Sequence, residues 1–240
     1  MKKITTLIFT FIITLNLFAF EITPDYFGQR LDNGGAFQEY TISNKTNHTV
    51  RYRFSALPSK IKEKSMDKCV VFQPRYMTIK PGESRCLKIF ANSPLNAQVG
   101  EYAFYTYIES ITIPDFVFDK EKTALVAGTQ FGVNIAIQMF AWVGNLPPKV
   151  DLYNYKVYKK NGRLHIKGTL KNLTKKRFVQ YRVTAYGKNN SQVIDGGFIF
   201  IDQSKNFDTL LSDNFSSITD LDKIEVIEFP SQNILKIVKF

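Results

Sequence analysis

Histidine pairs and carboxylate pairs, which supply catalytic bases and metal ligands, are scarce in this sequence of 240 residues. It has two histidines, His48 and His165, far apart along the chain and without a metal-ligand partner at short spacing. A Ser-His-Asp triad or a zinc site therefore has almost nothing to build on. Asp220 and Asp222 fall in a polar loop, which indicates solvated turn residues rather than an acid/base pair. The sequence predicts a binding protein, not an enzyme, with no metal and no other cofactor.

The stretch 131–144, FGVNIAIQMFAWVG, has a pattern that suits binding. Its apolar residues are spaced by two: Val133, Ile135, Ile137 and Met139. Polar or small residues lie between them: Asn134, Ala136 and Gln138. This period predicts a β-strand with one apolar face. Such a face serves either the protein's own core or a partner that accepts an added strand.

The N-terminus predicts export. Lys2 and Lys3 precede an apolar run over 4–18, and Leu17-Phe18-Ala19 is an acceptable cleavage site, so residues 1–19 are interpreted as a cleaved signal peptide. No later segment approaches the ~20 apolar residues of a spanning helix. We therefore expect a mature protein in the periplasm, with no stable membrane insertion.

The chain carries a formal charge of +11. Its basic residues are scattered over several turns, which is typical of solvated loop ends, and an exported protein meets little nucleic acid. The scattered positions of these charges and the predicted export argue against a nucleic-acid partner, whereas an acidic protein partner stays open.

Cys69 and Cys86 are the only cysteines, and export permits a disulfide between them. Bridging requires Cα atoms within roughly 7 Å. The turn signal at 80–83, Lys-Pro-Gly-Glu, predicts a hairpin that places Cys86 opposite 77–79, several residues from Cys69. Both a disulfide and two free thiols stay open.

Strand-like runs separated by turn residues fill the mature chain, and no segment keeps an apolar period of 3.6. The runs lie at 37–43, 50–55, 70–72, 77–79, 86–90, 100–113, 131–143, 153–158, 164–170, 178–186, 197–201, 224–229 and 234–238. Asn161-Gly162 is a strong hairpin signal, and Pro147-Pro148 indicates a domain junction. We predict an all-β protein of two β-sandwich domains, over 20–145 and 146–240.

Five stretches carry a family resemblance through their order and spacing. They are FQEYTISN at 37–44, the strand 50–53 followed by Ala-Leu-Pro at 56–58, PRYMTIKPGESR at 74–85, GEYAF at 100–104, and the alternating stretch 131–144 before the proline junction. Together they resemble the PapD-like periplasmic chaperones of the chaperone–usher pathway of pilus assembly, over nearly the whole mature chain.

The resemblance implies two immunoglobulin-like domains and a non-enzymatic chaperone. Such a chaperone binds pilus subunits, lends a strand to their incomplete sandwiches and delivers them to an outer-membrane usher. Here the lent face would be Val133, Ile135, Ile137 and Met139.

The family also holds the subunit's C-terminal carboxylate with two cations. Arg30 falls near the place of the arginine, whereas Gln138 stands where the family has a lysine. A neutral amide donates a hydrogen bond without the added strength of a charge, so the sequence departs from the family pattern at this position.

Two other functions remain open from the sequence. One is a secreted β-sandwich that forms a structural or adhesive part of a pilus. The other is a carbohydrate-binding module or enzyme that uses an aromatic patch around Tyr102, Tyr105 and Tyr107.

Overall fold

The computed structural model describes residues 20–32, 34–60, 64–111, 116–119, 124–127, 132 and 134–240. The predicted signal peptide, 1–19, lies outside the described residues. The chain forms two compact units, one of residues 20–97 and 102–141 and the other of Gln98–Glu101 and Trp142–Phe240. Within the described residues, helix is limited to Lys64 and to short 3-10 turns at Asp67–Cys69 and Ile218–Asp220. None of the described helices has the length and apolar character needed to cross a membrane. The all-β prediction is confirmed.

The strands, in chain order, are β1 Phe20–Thr23, β2 Gly28–Arg30, β3 Ala36–Asn44, β4 Val50–Pro58, β5 Val70–Gln73, β6 Tyr76–Ile79, β7 Ser84–Ala91, β8 Gly100–Ile111, β9 Phe116–Asp119, β10 Ala124–Ala127, β11 Asn134–Val143, β12 Val150–Lys160, β13 Arg163–Asn172, β14 Val179–Gly187, β15 Ser191–Ile199, β16 Ser204–Leu210, β17 Leu221–Glu228 and β18 Ile234–Lys239.

The first unit is a two-sheet sandwich. One sheet has the order β1-β3-β7-β5, the other has the order β2-β11-β8-β4-β6, and β9 and β10 form a separate hairpin. Alternate residues of β3, β7 and β8 are buried between the sheets, among them Tyr40, Ile42, Leu87, Ile89 and Phe104. This is the period-2 alternation of strands that have one face in a core. β1 and β2 lie in different sheets, so the N-terminal segment passes from one sheet to the other.

The second unit has seven strands in two sheets, β12-β13-β16 and β15-β14-β17-β18. Its core is apolar and contains Leu152, Ile166, Tyr181, Val183 and Ile224, each at most 3% exposed. Both units have the two-sheet architecture of immunoglobulin-like sandwiches, so this part of the fold prediction is confirmed.

The hairpin predicted at Asn161-Gly162 is confirmed. Lys160 pairs with Arg163 across a two-residue loop, and the φ angles of Asn161 and Gly162 are 53° and 77°. Positive φ at both loop residues matches the twist of the flanking strands, which is why Asn-Gly is favoured there.

The hairpin predicted across 80–83 is wrong. The chain does turn there, with the Glu83 N–H donating to the Lys80 carbonyl over 3.1 Å. However, β6 pairs with β4 in one sheet, whereas β7 pairs with β3 and β5 in the other. The apolar residues of β6 and β7, such as Met77 and Leu87, are both buried in the core. The turn therefore carries the chain across the sandwich instead of joining two paired strands.

This topology decides between the two interpretations of the cysteines. Cys86 pairs with Thr41 in the middle of the β3–β7 ladder. The Cys69 carbonyl instead accepts a hydrogen bond from the N–H of Asn92, just beyond the end of β7. The two cysteines are thus separated by about six residues along β7, or ~20 Å at ~3.3 Å per residue. Both thiols are free, and the possible disulfide between Cys69 and Cys86 is not formed.

Candidate functional site

Strand β11 changes from exposed to buried along its length. Asn134, Ala136 and Gln138 are exposed, and the alternating residues Ile135 and Ile137 are only half-buried. From Met139, which is fully buried, the strand enters the core of its unit. Val133, predicted to belong to the same apolar face, lies outside the described residues. The apolar face is therefore partly accessible at Ile135 and Ile137 and closed at Met139.

The edge of β11 opposite β8 is paired with another strand over only part of its length. Its neighbours are β8 on one side and β2 on the other. β2 has three residues and β11 has ten. Just before β2, the Phe27 carbonyl accepts a hydrogen bond from the N–H of Phe140 over 3.0 Å. In the described part of the chain, β2 thus covers only about three positions of this edge, and an incompletely paired edge can accept another strand.

The structure places the two residues predicted to hold a carboxylate, Arg30 and Gln138, on the neighbouring strands β2 and β11. The Arg30 side chain is 44% exposed, and its Nε lies 2.5 Å from the Asp32 carboxylate. Gln138 is exposed. A carboxylate ligand at Arg30 would therefore compete with Asp32 for the guanidinium group.

Near the C-terminal end of β11, the ring of Trp142 packs against a buried cation, Arg177. Arg177 is 2% exposed, and its guanidinium lies 4.0 Å from the ring centroid of Trp142. Its Nη2 forms an ion pair with the Glu228 carboxylate, while its Nε is buried without a hydrogen-bond partner. Burial lowers the pKa of Arg177, and the neighbouring Glu228 and Glu101 carboxylates partly offset this effect.

The Glu101 carboxylate supplies a further tie at the start of β8, where it accepts a hydrogen bond from the Phe178 N–H over 2.5 Å. No sequence pattern predicts this cluster, because its members are distant in sequence: Glu101, Trp142, Arg177 and Glu228. Nor does any pattern indicate β2, whose three residues are too few to show a period.

The histidines take structural positions. The His48 ring lies 3.2 Å from the Asn47 amide oxygen in a turn, and the Nδ1 of His165 lies 3.5 Å from the Asp208 carboxylate. Among the described residues, no group of three histidine, cysteine or acidic side chains could hold a metal ion.

The proposed aromatic patch does not share one face. Tyr102 is buried at 8% exposure, whereas Tyr105 and Tyr107 are half-buried and alternate with it along β8. Residues that differ by an odd number along a strand point to opposite faces of the sheet, so the three rings do not form one platform.

Comparisons with known proteins return structures and no sequence relatives. No protein-family model matches the chain, and no curated protein matches it. Similar solved structures include the YadV chaperone, at 9% identity over 93% of this chain and 100% of that chain, with a TM-score of 0.45.

A second is the Salmonella enterica SafA pilin in complex with the SafB chaperone, at 14% identity over 95% and 98% of the two chains, with a TM-score of 0.45. A third is the E. coli chaperone DraB, at 11% identity over 93% and 98%, with a TM-score of 0.44. The fold of this chain is defined by its own strand order and register.

Proposed function

We propose that this chain is a periplasmic chaperone that binds pilus subunits by lending them part of β11 and delivers them to an outer-membrane usher. In this proposal, residues 1–19 direct export and are removed, and the mature protein consists of domains 20–145 and 146–240. The subunit is an incomplete β-sandwich, and the lent strand fills its missing position.

The observation that carries the proposal is the change of burial along β11. A closing strand that served only its own core would bury its apolar face throughout. Here Ile135 and Ile137 stay half-buried while Met139 is sealed. The same strand can therefore close its own domain at one end and offer apolar side chains at the other.

The energies suit reversible binding. Full burial of an isoleucine is worth about 1.5–3 kcal/mol, so completing the burial of two half-buried ones adds roughly 1.5–3 kcal/mol together. Each ladder hydrogen bond contributes about 0.5–1.5 kcal/mol. Association costs at least ~4 kcal/mol. Several ladder bonds are thus needed beside the two side chains, and a partner strand of matching length supplies them.

Arg30 and Gln138 are the proposed contacts for the subunit's C-terminal carboxylate. Arg30 supplies the charge, and the exposed amide of Gln138 supplies a neutral hydrogen bond. Because the second cation is replaced by an amide, this end of the subunit is expected to be held less strongly than by two cations.

The test is capture of a pilus subunit encoded beside this chain. Ile135→Asp and Ile137→Asp would each place an unpaired carboxylate in the bound interface, at a cost of several kcal/mol. We expect each to abolish co-purification of the subunit while the chaperone stays folded, as its thermal unfolding will show.

Ala136→Asp is the matched control, since it introduces the same carboxylate on the opposite, exposed face of the same strand. It should keep subunit capture. Equal capture by all three variants would refute the lent strand. Recovery of the wild-type protein in extracellular fibres, instead of the periplasmic fraction, would favour a structural or adhesive pilus component.

A further inference from the structure

The outer face of the sheet β12-β13-β16 contains a depression of about 440 Å³ that plays no part in the proposed function. Its polar lining comes from all three strands: Asn154, Lys167, Thr169, Asn206 and Asp208. These side chains differ from an ordinary solvated face because several are fixed by neighbours and still present unused hydrogen-bonding groups.

A β-bulge shapes the depression. Tyr153 pairs with Thr169 and Lys156 pairs with Lys167, so Asn154 and Tyr155 together lie opposite Gly168. Asn154 has a φ of 52°. A Cβ at Gly168 would lie 2.8 Å from the Phe207 ring, so glycine lets the strands pack closely behind the bulge. Bulges often redirect side chains at binding sites.

The Thr169 side chain fixes the orientation of the Asn206 amide. The Thr169 hydroxyl donates to the Asn206 amide oxygen over 2.8 Å. The Nδ2 group of Asn206 is left without a protein acceptor among the described residues, and the side chain of Asn154 has no hydrogen-bond partner among them. The amide is thus held in one orientation with two donors directed to solvent.

The Asp208 carboxylate, which can accept hydrogen bonds from a ligand, is also held in place by its neighbours. The Tyr158 hydroxyl lies 2.8 Å and 2.7 Å from its two carboxylate oxygens, and His165 lies on the same side at 3.5 Å. The hydrogen bond from Tyr158 lowers the pKa of Asp208, so the group is a carboxylate at neutral pH. The Lys167 ammonium lies 5.6 Å from the centroid of the Tyr158 ring.

These groups suit vicinal hydroxyls. A hydroxyl both donates and accepts, so it can donate to the Asp208 carboxylate while its neighbour accepts from the Asn206 amide or from Lys167. A phosphate group would meet the repulsion of Asp208. We propose that this depression, defined by Asn154, Lys167, Asn206 and Asp208, is a binding site for a saccharide.

The site is tested by NMR titration of the full-length, ¹⁵N-labelled protein, which reports the side-chain amides of Asn154 and Asn206 directly. The probes are chitotetraose, maltotetraose and trigalacturonic acid. We expect at least one neutral probe to shift both amides saturably, with a Kd of ~1 mM or tighter.

Asn206→Ala removes a hydrogen-bond donor, and Asp208→Asn replaces a charged acceptor with a neutral one. Each should weaken binding of that probe by ~10-fold or more. Asp222→Asn makes the same change at an exposed carboxylate on β17 and should bind like wild type. Thermal unfolding verifies that each variant is folded. All three variants should keep subunit capture, so this test and that of the lent strand fail independently.

Four results would overturn the site. The first three are no saturable shift with any probe, shifts that map away from the four residues, and wild-type affinity in both Asn206→Ala and Asp208→Asn. The fourth is binding of trigalacturonic acid alone, strengthened by Asp208→Asn, since that pattern describes an anion held by Lys167.

Discussion

Glu228→Gln removes the counterion of Arg177, a buried cation with almost no access to solvent. The Arg177 side chain is 3% exposed and is paired with the Glu228 carboxylate. Its Nε already lacks a hydrogen-bond partner, and after the substitution Glu101 is the remaining carboxylate that favours its charge. Breaking a buried ion pair by removing one partner costs about 3–5 kcal/mol. We expect Glu228→Gln to destabilise the second unit by this amount.

Arg177→Met should cost less, about 1–3 kcal/mol. The methionine keeps an apolar contact with the Trp142 ring, which lies 4.0 Å from the guanidinium. The Glu228 carboxylate that remains still accepts hydrogen bonds from Ser231 Oγ at 2.9 Å and Asn233 Nδ2 at 3.3 Å. In the double variant no unpaired buried charge is left, so it should be more stable than the sum of the single changes predicts, by about 2 kcal/mol.

Urea unfolding followed by tryptophan fluorescence measures these values. Trp142 is the only tryptophan of the chain, it belongs to the second unit, and it contacts Arg177 directly. The signal therefore reports unfolding at the ion pair itself. A loss below ~1 kcal/mol for Glu228→Gln, or strict additivity in the double variant, would refute the argument that this pair is a desolvated charge pair.

Four further outcomes are expected. Thiol titration of the unfolded, non-reduced protein should find both Cys69 and Cys86 free, and one disulfide per chain would contradict the register of β7. Gly162→Ala should lower the free energy of unfolding by ~1 kcal/mol because the φ of 77° disfavours a Cβ, as urea unfolding will measure. Gln138→Lys should tighten subunit binding several-fold by adding a charge-assisted hydrogen bond. Calorimetry measures the Kd, and an unchanged Kd would contradict this prediction. Burial raises the pKa of Tyr52 to about 12, against ~10 in the unfolded chain. The unfolded chain therefore loses this proton first, and the free energy of unfolding falls as the pH rises from 10 to 12. Tyr52→Phe should make that fall smaller when urea unfolding is measured at several pH values.

The sequence determined those parts of the fold that depend on neighbouring residues. The alternation over β11 indicated a strand with one apolar face because side chains alternate regardless of what the strand packs against. Asn161-Gly162 indicated a tight hairpin because positive φ at two successive residues is a local requirement. Strands such as β16, SKNFDTL, were missed because polar residues on its inner and outer faces hide the period.

Tertiary structure alone decided which strands pair and where burial begins. Pro81-Gly82 indicated a turn but could not indicate that β6 and β7 belong to different sheets, because a turn reverses the chain in both cases. Likewise, Ile137 and Met139 are equivalent in the pattern, yet only Met139 is sealed. Whether an apolar side chain is covered depends on residues distant in sequence, and a local period carries no information about them. The accessible part of β11 and the buried pair of Arg177 with Glu228 both arise in this way.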